Sequence, residues 1–283
     1  MPGEICSFGS QMSRYEHIML LWDVGIIVTR AERLSALLEH LVTNGRIDVD
    51  ESAAQFDVSA ATIRRDLDYL ADQQLLNRTH GGAMPNTTSY DLPLRYKSTT
   101  RGEAKARIAE RAVELMWPGC TLSLNGGTTT VEIARAIPAS RPLHHGVTVV
   151  TNALNIATEL TVRPFIKIVV CGGVARPQSY ELVGAMAAET LSQLTPDLCF
   201  LGASGLDPIA GVTTNDEAEA AINRVMMKQA KRTIVVVDAS KLGHVGFSRI
   251  CYVHEVSAVL TDQSAEPDMI EALRATGVEV IIA

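Results

Sequence analysis

Two adjacent arginines in "FDVSAATIRRDLDYL" (Phe56–Leu70) are the side chains of this chain best suited to hold a polyanion. The apolar residues of the stretch recur at helical spacing and share one face: Ile63, Leu67 and Leu70. Arg64 and Arg65 then lie away from that face, where a guanidinium can donate two hydrogen bonds to a guanine. The stretch is therefore predicted to be a helix that reads DNA.

The residues around the two arginines also suit contact with DNA. Ser59 can cap the helix, and the free N–H groups of its first turn can meet a phosphate. The predicted DNA-binding residues are Ser59, Ala61, Thr62, Arg64, Arg65, Arg78 and His80. An isolated arginine pair is more often only the solvated face of a core helix, but the elements that surround this pair favour DNA binding.

Short elements on both sides complete a known DNA-binding arrangement. An earlier helix ends at Asn44-Gly45 and buries the leucines at helical spacing: Leu34, Leu37, Leu38 and Leu41. Asp50 is predicted to cap a second, short helix that turns Ala53, Ala54 and Phe56 inward. The third helix runs from Ser59 to about Gln74, and "LLNRTHGGAMP" after it indicates a hairpin. This order is that of a winged helix-turn-helix.

The charge of the chain limits how strongly one copy can bind DNA. The formal net charge is −7, which argues against a protein that coats nucleic acid without specificity. Residues 29–85 contain six Lys and Arg against nine Asp and Glu, and residues 86–107 contain five against two. Because one copy would contact few phosphates, we expect a homo-oligomer, dimer or tetramer, that binds repeated half-sites of double-stranded DNA.

Glycine-rich or polar turns follow three predicted strands farther along the chain: "LNGGTTTVEIA", "TNALNIA" and "CGGVARPQSYELVG". Their glycines let a backbone approach a ligand, and hydroxyls at a helix N-terminus favour an anion. "DASK" (Asp238–Lys241) adds an acid and a cation. The predicted effector-binding residues are Gly126, Gly127, Thr128, Thr129, Thr130, Thr151, Asn152, Gly172, Gly173, Arg176, Tyr180, Asp207, Glu217, Asp238 and Lys241. Each feature alone is more often a tight turn, a helix cap or a solvated side chain. Together they favour a small phosphorylated or polyhydroxylated ligand.

Seven apolar runs, most of them separated by helical stretches, predict the fold of this second region. The runs are residues 121–124, 147–150, 166–170, 198–202, 233–238, 258–262 and 278–283. Strands this apolar indicate a mainly parallel, Rossmann-like sheet covered on both faces. The fold class is thus α/β, and we expect four segments: an N-terminal extension that is either an appendage or the product of an over-long gene model (1–28), a winged helix-turn-helix (29–85), a linker (86–104) and an effector-sensing α/β domain (105–283).

Two sequence blocks resemble the DNA-binding domain of DeoR-family bacterial transcriptional regulators: "VSAATIRRDL" (Val58–Leu67) and "RTHGGA" (Arg78–Ala83). Gln73-Gln74 departs from that pattern, in which a glycine is common. From Lys105 onward the chain resembles the sensor domain of the same family, through "GTTT", "VVTN", "GGVARPQSYELVG", "GLD", "DASK" and "LTD". That domain is related in fold to sugar-phosphate isomerases.

The resemblance implies a repressor of sugar or carbohydrate metabolism genes that changes its grip on DNA when a phosphorylated sugar binds. It places Gly127–Thr130, Thr151-Asn152, Gly172-Gly173, Asp238 and Lys241 in the effector pocket. Asn125 stands where the family commonly has Asp, which argues against a contact that needs a carboxylate there.

Other classes of function are disfavoured. The chain has neither a GxGxxG segment followed by a ribose-binding acid nor a Walker A loop, so we expect no nucleotide cofactor. Five scattered cysteines without metal-ligand spacing predict neither disulfides nor a metal site and fit the cytoplasm, and no segment is long enough to span a membrane. A sugar-phosphate isomerase or deaminase that uses Glu181, Asp207, Glu217 or Asp238 as base remains the alternative, with a DNA-independent interaction module behind it.

Overall fold

The computed structural model describes residues 29–85, 94 and 101–283, which form two compact units divided between Pro85 and Asn86. The predicted extension (1–28) and most of the predicted linker lie outside the described residues. Residues 102–104, which the sequence analysis assigned to the linker, form the start of a helix that begins at Gly102. Within the described ranges, every helix is too short or too polar to cross a bilayer.

The first unit contains three helices and a three-stranded antiparallel sheet. The helices are α1 (Arg30–Asn44), α2 (Val49–Gln55) and α3 (Ala60–Asp72). The strands are β1 (Ile47–Asp48), β2 (Leu76–Arg78) and β3 (Gly82–Pro85), in the order β1-β3-β2. A Cβ on Gly82 would lie 1.8 Å from the carbonyl oxygen of Ile47, so the close pairing of β1 with β3 requires this glycine.

The side chains that apolar spacing predicted to be buried lie in the core of the first unit. Ile63, Leu67 and Leu70 of α3 are each 0% exposed. The four leucines of α1 are buried as well, and Gly45 ends that helix with a left-handed φ of 72°. Burial of these side chains removes apolar surface from water and holds the three helices together.

Two boundaries differ from the sequence predictions. The cap of α2 is Asp48 rather than Asp50, and its carboxylate accepts from the N–H groups of Asp50 and Glu51. Asp48 pairs with Gly82 in the sheet, which fixes the extended backbone that an N-cap needs. Helix α3 ends at Asp72, and Gln74 then adopts a left-handed φ of 57°, a conformation that favours glycine.

The second unit is built on a parallel sheet whose seven strands are the seven predicted runs. The strands are β4 (Thr121–Leu124), β5 (Val147–Thr151), β6 (Ile166–Val170), β9 (Leu198–Leu201), β12 (Arg232–Val236), β14 (Ala258–Thr261) and β15 (Glu279–Ile282). Their order in the sheet is β15-β14-β12-β9-β4-β5-β6. The predicted parallel α/β fold is confirmed.

Five short strands were not predicted. They form a hairpin, β7 (Val174–Arg176) with β8 (Glu181–Val183), and a small sheet of β10 (Gly205–Asp207), β11 (Gly211–Thr214) and β13 (Ser248–Cys251). Both pieces follow strands of the main sheet and add polar residues at its carboxyl edge.

Helices cover both faces of the parallel sheet. The helices are α4 (Gly102–Glu114), α5 (Thr128–Ala136), α6 (Leu154–Thr161), α7 (Ala185–Ser192), α8 (Glu217–Gln229) and α9 (Pro267–Ala275). One apolar cluster packs α4, α5 and α6 against the sheet, and a second packs α7, α8 and α9. Buried strands with cores on both faces explain why their sequences are almost continuously apolar.

The strand order reverses between β4 and β9. From β4 the chain adds β5 and β6 on one side, and from β9 it adds β12, β14 and β15 on the other. Open α/β sheets bind ligands at the carboxyl ends of the strands beside such a reversal, because the loops diverge there and leave a crevice. The loops after β4 and β9 are therefore candidate ligand-binding loops.

Four cysteines of the second unit are free and buried: Cys120, Cys171, Cys199 and Cys251. Burial raises the pKa of the Cys171 thiol to about 11 and that of the Cys199 thiol to about 12. For Cys251, burial and then the charge of Glu255 raise the pKa to about 12. These side chains therefore pack as small apolar groups.

Candidate DNA-binding face and effector site

The first turn of α3 has the geometry predicted for a recognition helix. The Ser59 hydroxyl accepts from the N–H of Thr62 at 3.1 Å and lies 2.9 Å from the Thr62 hydroxyl, so both side chains are used in the cap. Ala61, Arg64 and Arg65 are exposed. Neither arginine forms an ion pair with a residue that the structure describes, which leaves both guanidinium groups available to a polyanion.

The predicted wing is tied to α3 by one of its own candidate residues. Arg78 on β2 donates from Nε to Asp68 on α3 at 2.7 Å. His80 is exposed in the turn between β2 and β3. Arg78 thus orients the wing beside the recognition helix, and part of its charge is already neutralised by Asp68.

A buried carboxylate holds α1 against α3, a contact that the sequence did not reveal. Asp66 is 2% exposed and accepts from Arg33 Nε at 2.7 Å and from Arg30 Nε at 3.1 Å. Arg33 is therefore buried with Asp66, whereas Arg30 contacts Asp66 from the surface, with its side chain 58% exposed. Among the six cations of residues 29–85, Arg64 and Arg65 of α3 are exposed and have no ion pair with a described residue.

Asn125 joins the two loops at the reversal of strand order. Its Oδ1 accepts from the N–H of Gly202 at 2.7 Å, and its Nδ2 donates to the carbonyl of Gly202 at 3.0 Å. An amide can make both bonds, whereas a carboxylate can make only the first. The asparagine that departs from the family pattern therefore clamps the loop after β4 to the loop after β9.

Glu181, Asn152 and the backbone of Gly126 meet at the loop after β4. Together with Arg176, Thr214, Asp216 and Glu219 they form a group that we name the acidic cluster. Glu181 is 2% exposed and accepts from Asn152 Nδ2 at 3.2 Å and from the backbone of Gly126. A Cβ on Gly126 would lie 2.5 Å from Glu181 Cγ, so the carboxylate occupies the space that the glycine leaves. Asn152 Oδ1 is buried and has no hydrogen-bond partner among the described residues.

The acidic cluster continues through the predicted residue Arg176. Its Nε lies 2.8 Å from Glu219 Oε1 and 3.4 Å from Asp216 Oδ2, and the Thr214 hydroxyl donates to the other Glu219 oxygen at 3.0 Å. Burial, and then the charge of Glu219, raises the pKa of Glu181 well above its ordinary value. With one cation against three carboxyl groups, this cluster suits the hydroxyl donors of a ligand better than an anion.

A second group, which we name the basic cluster, lies at the carboxyl ends of β12 and β14. Asp238 accepts from the N–H and the hydroxyl of Ser240 at 3.0 and 2.5 Å. Asp262 is 0% exposed and accepts from the N–H of Ala239 at 2.7 Å. Burial opposes the ionisation of Asp262, but hydrogen bonds from Ser264 and Ala239 outweigh it and lower the pKa.

Three cations complete the basic cluster. Arg101 Nε lies 3.9 Å from Asp238 Oδ1, and Lys241 ends the short 3₁₀ turn that Asp238 caps. Lys105 on α4 is 4% exposed, and burial lowers its pKa while the charge of Asp238 acts in the opposite direction. The predicted pair Asp238 and Lys241 is thus joined by two cations that the sequence analysis did not select.

The predicted threonines lie at the same edge, but their hydroxyls are partly used by the fold. Thr151 donates to the carbonyl of Leu124 at 2.7 Å and accepts from the N–H of Ala153 at 3.0 Å. Thr130 donates to the carbonyl of Gly127 at 3.0 Å. Thr128 is half-buried and Thr129 is 7% exposed in the first turn of α5. These positions shape the loops, and no described side chain caps the start of α5.

The remaining predicted residues lie outside both clusters. Gly172 and Gly173 connect β6 to the β7–β8 hairpin, and Tyr180 ends the turn of that hairpin with φ of 61°. Asp207 accepts from the N–H groups of two residues in the β10–β11 turn, each at 2.8 Å. Glu217 is exposed in the first turn of α8. The structure therefore gives Asp207 a role in its turn and leaves Glu217 in solvent.

An open groove of about 590 Å³ lies beside α5 and α6, apart from both clusters. It is lined by Val131, Arg135, Leu154, Asn155, Thr158, Glu159, Val162 and Tyr180, and Tyr180 is the single predicted effector residue among these. The sheet edge beside the reversal of strand order, where ligands of open α/β sheets bind, is the better candidate site. Among residues 29–85, 94 and 101–283, no group of His, Cys, Asp or Glu has the arrangement of a metal site.

Glu219 is a residue that the sequence analysis missed in favour of Glu217. The buried face of α8 contains Ala220, Ile222, Asn223 and Met226. Residues 217 and 219 project about 200° apart on a helix, and the 3.6-residue period places 219 on that buried face. The apolar spacing of α8 could therefore have identified it.

Residues 33–89 match the DeoR-like helix-turn-helix domain, and residues 100–263 match the DeoR C terminal sensor domain. The chain is 34% identical over 255 residues to a putative aga operon transcriptional repressor of Escherichia coli O157:H7, covering 89% of this chain and 93% of that protein. It is 31% identical to the glycerol-3-phosphate regulon repressor of Escherichia coli K12, covering 86% and 95%. Both relatives are named as regulators, not enzymes.

A ribose 5-phosphate isomerase of Methanocaldococcus jannaschii overlaps the chain with a TM-score of 0.37 and 16% identity, over 50% of this chain and 55% of that one.

Proposed function

Because the chain belongs to the DeoR family of transcriptional regulators, we propose that it represses genes of carbohydrate metabolism and releases its operator when a phosphorylated sugar binds to the second unit. The carbohydrate class is suggested by the relatives, whose names refer to an aga operon and a glycerol-3-phosphate regulon. We place this activity in the cytoplasm, where a bacterial operator would be reached.

The DNA contact is assigned to the exposed arginines of α3 and to the wing. Arg65 reads a base, Arg64 and the free N–H groups of the first turn of α3 meet phosphates, and His80 lies on the wing turn. Because three of the six cations in this unit are engaged by Asp66 and Asp68, one copy makes few phosphate contacts. A homo-oligomer bound to repeated half-sites would provide the missing affinity.

The single observation that carries the effector proposal is the pairing of two oppositely charged clusters at one sheet edge. The acidic cluster presents Glu181 and the unpartnered oxygen of Asn152, which accept hydrogen bonds from sugar hydroxyls. The basic cluster presents Lys241 and its neighbouring cations to a phosphate. A polyhydroxylated molecule with an anionic end matches both, and the reversal of strand order lies between them.

Fluorescence anisotropy of labelled DNA from upstream of the chain's own gene tests both halves of the proposal. Arg65→Ala should weaken binding by about 1–3 kcal/mol if the side chain reads a base, with an unchanged circular dichroism spectrum. Arg163→Ala, an exposed arginine of the second unit, is the matched control. Unaltered affinity of the Arg65 variant would remove that residue from base reading.

The effector half is tested by adding glycerol 3-phosphate, ribose 5-phosphate and glucosamine 6-phosphate to the complex with DNA. At least one compound should release the DNA from the wild type, because a ligand that prefers one conformation shifts the equilibrium toward it. Lys241→Ala should lose this response and keep its affinity for DNA, whereas Lys167→Ala, exposed on β6, should retain both. A Lys241 variant that responds at the same concentration would show that the phosphate binds elsewhere.

A further inference from the structure

The small sheet of β10, β11 and β13 carries the most exposed large apolar side chains among the described residues. Ile209 in the β10–β11 turn is 88% exposed, and Phe247 just before β13 is 82% exposed. Val245 and Tyr252, at 61% and 42%, lie in the segments on either side of β13. We name Ile209, Val245, Phe247, Arg249 and Tyr252 the β13 strip. Exposed apolar side chains that gather on one surface are typical of a contact with another protein.

Close packing of the backbone fixes the β13 strip in place. A Cβ on Gly246 would lie 2.6 Å from the carbonyl oxygen of Thr214, and a Cβ on Gly211 would lie 3.1 Å from the Cα of Tyr252. The segments on both sides of β13 therefore touch β11 without intervening side chains. Arg224 of α8 also donates to two consecutive backbone carbonyls of β13, at 2.5 and 2.9 Å. A surface held this firmly loses little conformational entropy when it binds, which favours a tight contact.

Charged and aromatic side chains surround Tyr252. The Arg249 guanidinium lies 4.0 Å from the centre of the Tyr252 ring, and the His254 ring stacks with it at 5.5 Å between centres. Glu255 accepts from the N–H of Tyr252 at 2.7 Å. Arg249, His254 and Glu255 are all exposed. Tyrosine and arginine are among the side chains that most often dominate the binding energy of a protein interface.

The two opposite charges beside Tyr252 make this surface complementary to itself. Arg249 and Glu255 both contact Tyr252, and neither forms an ion pair with a residue that the structure describes. A two-fold interface pairs residue i with residue j and residue j with residue i, so an axis near Tyr252 brings Arg249 of each copy opposite Glu255 of the other. A uniformly acidic or basic partner would match only one of the two charges. A second copy of this chain matches both.

We propose that two copies of the chain associate through the β13 strip around a two-fold axis near Tyr252. This inference rests on the homo-oligomer of the proposed function and names the surface that forms it. Two joined copies carry two DNA-binding units, which the few phosphate contacts of one copy require. The strip also adjoins the acidic cluster, because β13 pairs with β11 and Thr214 of β11 donates to Glu219. An effector at the sheet edge and a partner copy at the strip thus contact neighbouring strands.

Sedimentation velocity of the full chain over a wide range of protein concentrations tests this interface. Phe247→Asp places a charge in the strip, and Val162→Asp, at a side chain that is 72% exposed after α6, is the matched control. Arg249→Glu and Glu255→Arg each bring like charges together across the axis. The double variant, Arg249→Glu with Glu255→Arg, exchanges the two charges and restores both pairs. Circular dichroism spectra check that every variant folds.

We expect Phe247→Asp and each single charge reversal to raise the dissociation constant of the dimer at least about tenfold, whereas Val162→Asp should leave it unchanged. The double variant should return to within about threefold of the wild type. A folded double variant that does not recover would overturn the two-fold pairing.

Two results separate this inference from the proposed function. If the wild type self-associates and Phe247→Asp and the single charge reversals do so equally well, the copies meet through another surface, and the proposed homo-oligomer stands. A wild type that stays monomeric at every concentration would overturn both.

Discussion

The substitution Asp66→Ala has two opposite effects on DNA binding, because Asp66 of α3 is both a negative charge and a partner in a buried ion pair. By charge alone, loss of one carboxylate from residues 29–85 should tighten DNA binding, because this unit already carries more acids than bases. By structure, the same substitution leaves Arg33 buried without its partner, 2.7 Å from where the carboxylate had been. The two arguments predict opposite signs for the change in affinity.

The magnitude follows from the exposure of the three side chains. The side chains of Arg33 and Asp66 are 9% and 3% exposed, and removal of one member of a buried ion pair costs about 3–5 kcal/mol. The Arg30 side chain is 58% exposed, so its contact with Asp66 adds less than about 1 kcal/mol. A loss of this size is comparable to the whole stability of a domain this small, so we expect weaker DNA binding.

Hydrogen exchange measured by mass spectrometry can follow the first unit inside the full chain. Amide exchange in α1 and α3 of the Asp66 variant should accelerate roughly 10²- to 10⁴-fold, while exchange in the parallel sheet stays unchanged. Asp72→Ala removes an exposed carboxylate from the same helix and is the control for charge. It should leave exchange unchanged and keep or slightly raise the affinity for DNA.

A single outcome would refute this reasoning. If Asp66→Ala exchanges like the wild type and binds DNA as tightly as Asp72→Ala, the buried ion pairs do not hold α1 against α3.

Three further predictions concern the strand edge. Gly126→Ala should lower the free energy of unfolding by about 1–3 kcal/mol and abolish the effector response, because its Cβ meets Glu181. Gly172→Ala, whose Cβ would have no atom within 4 Å, should unfold like the wild type. Asn125→Asp should lower the free energy of unfolding by about 1–3 kcal/mol in urea, since a carboxylate cannot donate to the Gly202 carbonyl; an unchanged midpoint would contradict the clamp. Burial, and then the charge of Glu219, raises the pKa of Glu181 above its ordinary value of 4.5. Above pH 4.5 the folded chain therefore keeps a proton that the unfolded chain releases, so the free energy of unfolding falls as the pH rises. The Tm of Glu181→Gln should therefore fall less from pH 5 to pH 8 than that of the wild type. Parallel curves of Tm against pH for the two proteins would contradict a raised pKa of Glu181.

Much of the fold could be predicted because its signals are local. The leucine spacing of α1, the stripe on α3 and the seven apolar runs each lie within one element, where periodicity reports burial directly. The glycine and threonine turns after strands indicated the correct edge of the sheet, because parallel strands bring all their carboxyl ends together.

What the sequence could not predict depends on contacts between distant residues. Asp66 meets Arg33 across 33 positions, and Arg101 meets Asp238 across more than 130, so no window of sequence contains either pair. The cap of α2 is Asp48 rather than the predicted Asp50, because pairing with Gly82 in the sheet gives Asp48 the extended backbone that a cap needs. The five short strands are only three or four residues long, too short for a period to be recognised.

The four buried cysteines offer a chemical readout of the second unit by itself. At neutral pH a thiol with a pKa of about 11 or 12, as at Cys171, Cys199 and Cys251, is almost never a thiolate, and burial also raises the pKa of the Cys120 thiol. The thiolate is the form that reacts with alkylating reagents and peroxides. Oxidants should therefore leave the folded sensor unit unmodified, and a thiol dye should label these positions only when the sheet opens. Labelling rates with and without a phosphorylated sugar would then report how firmly an effector closes this unit, with no engineered probe.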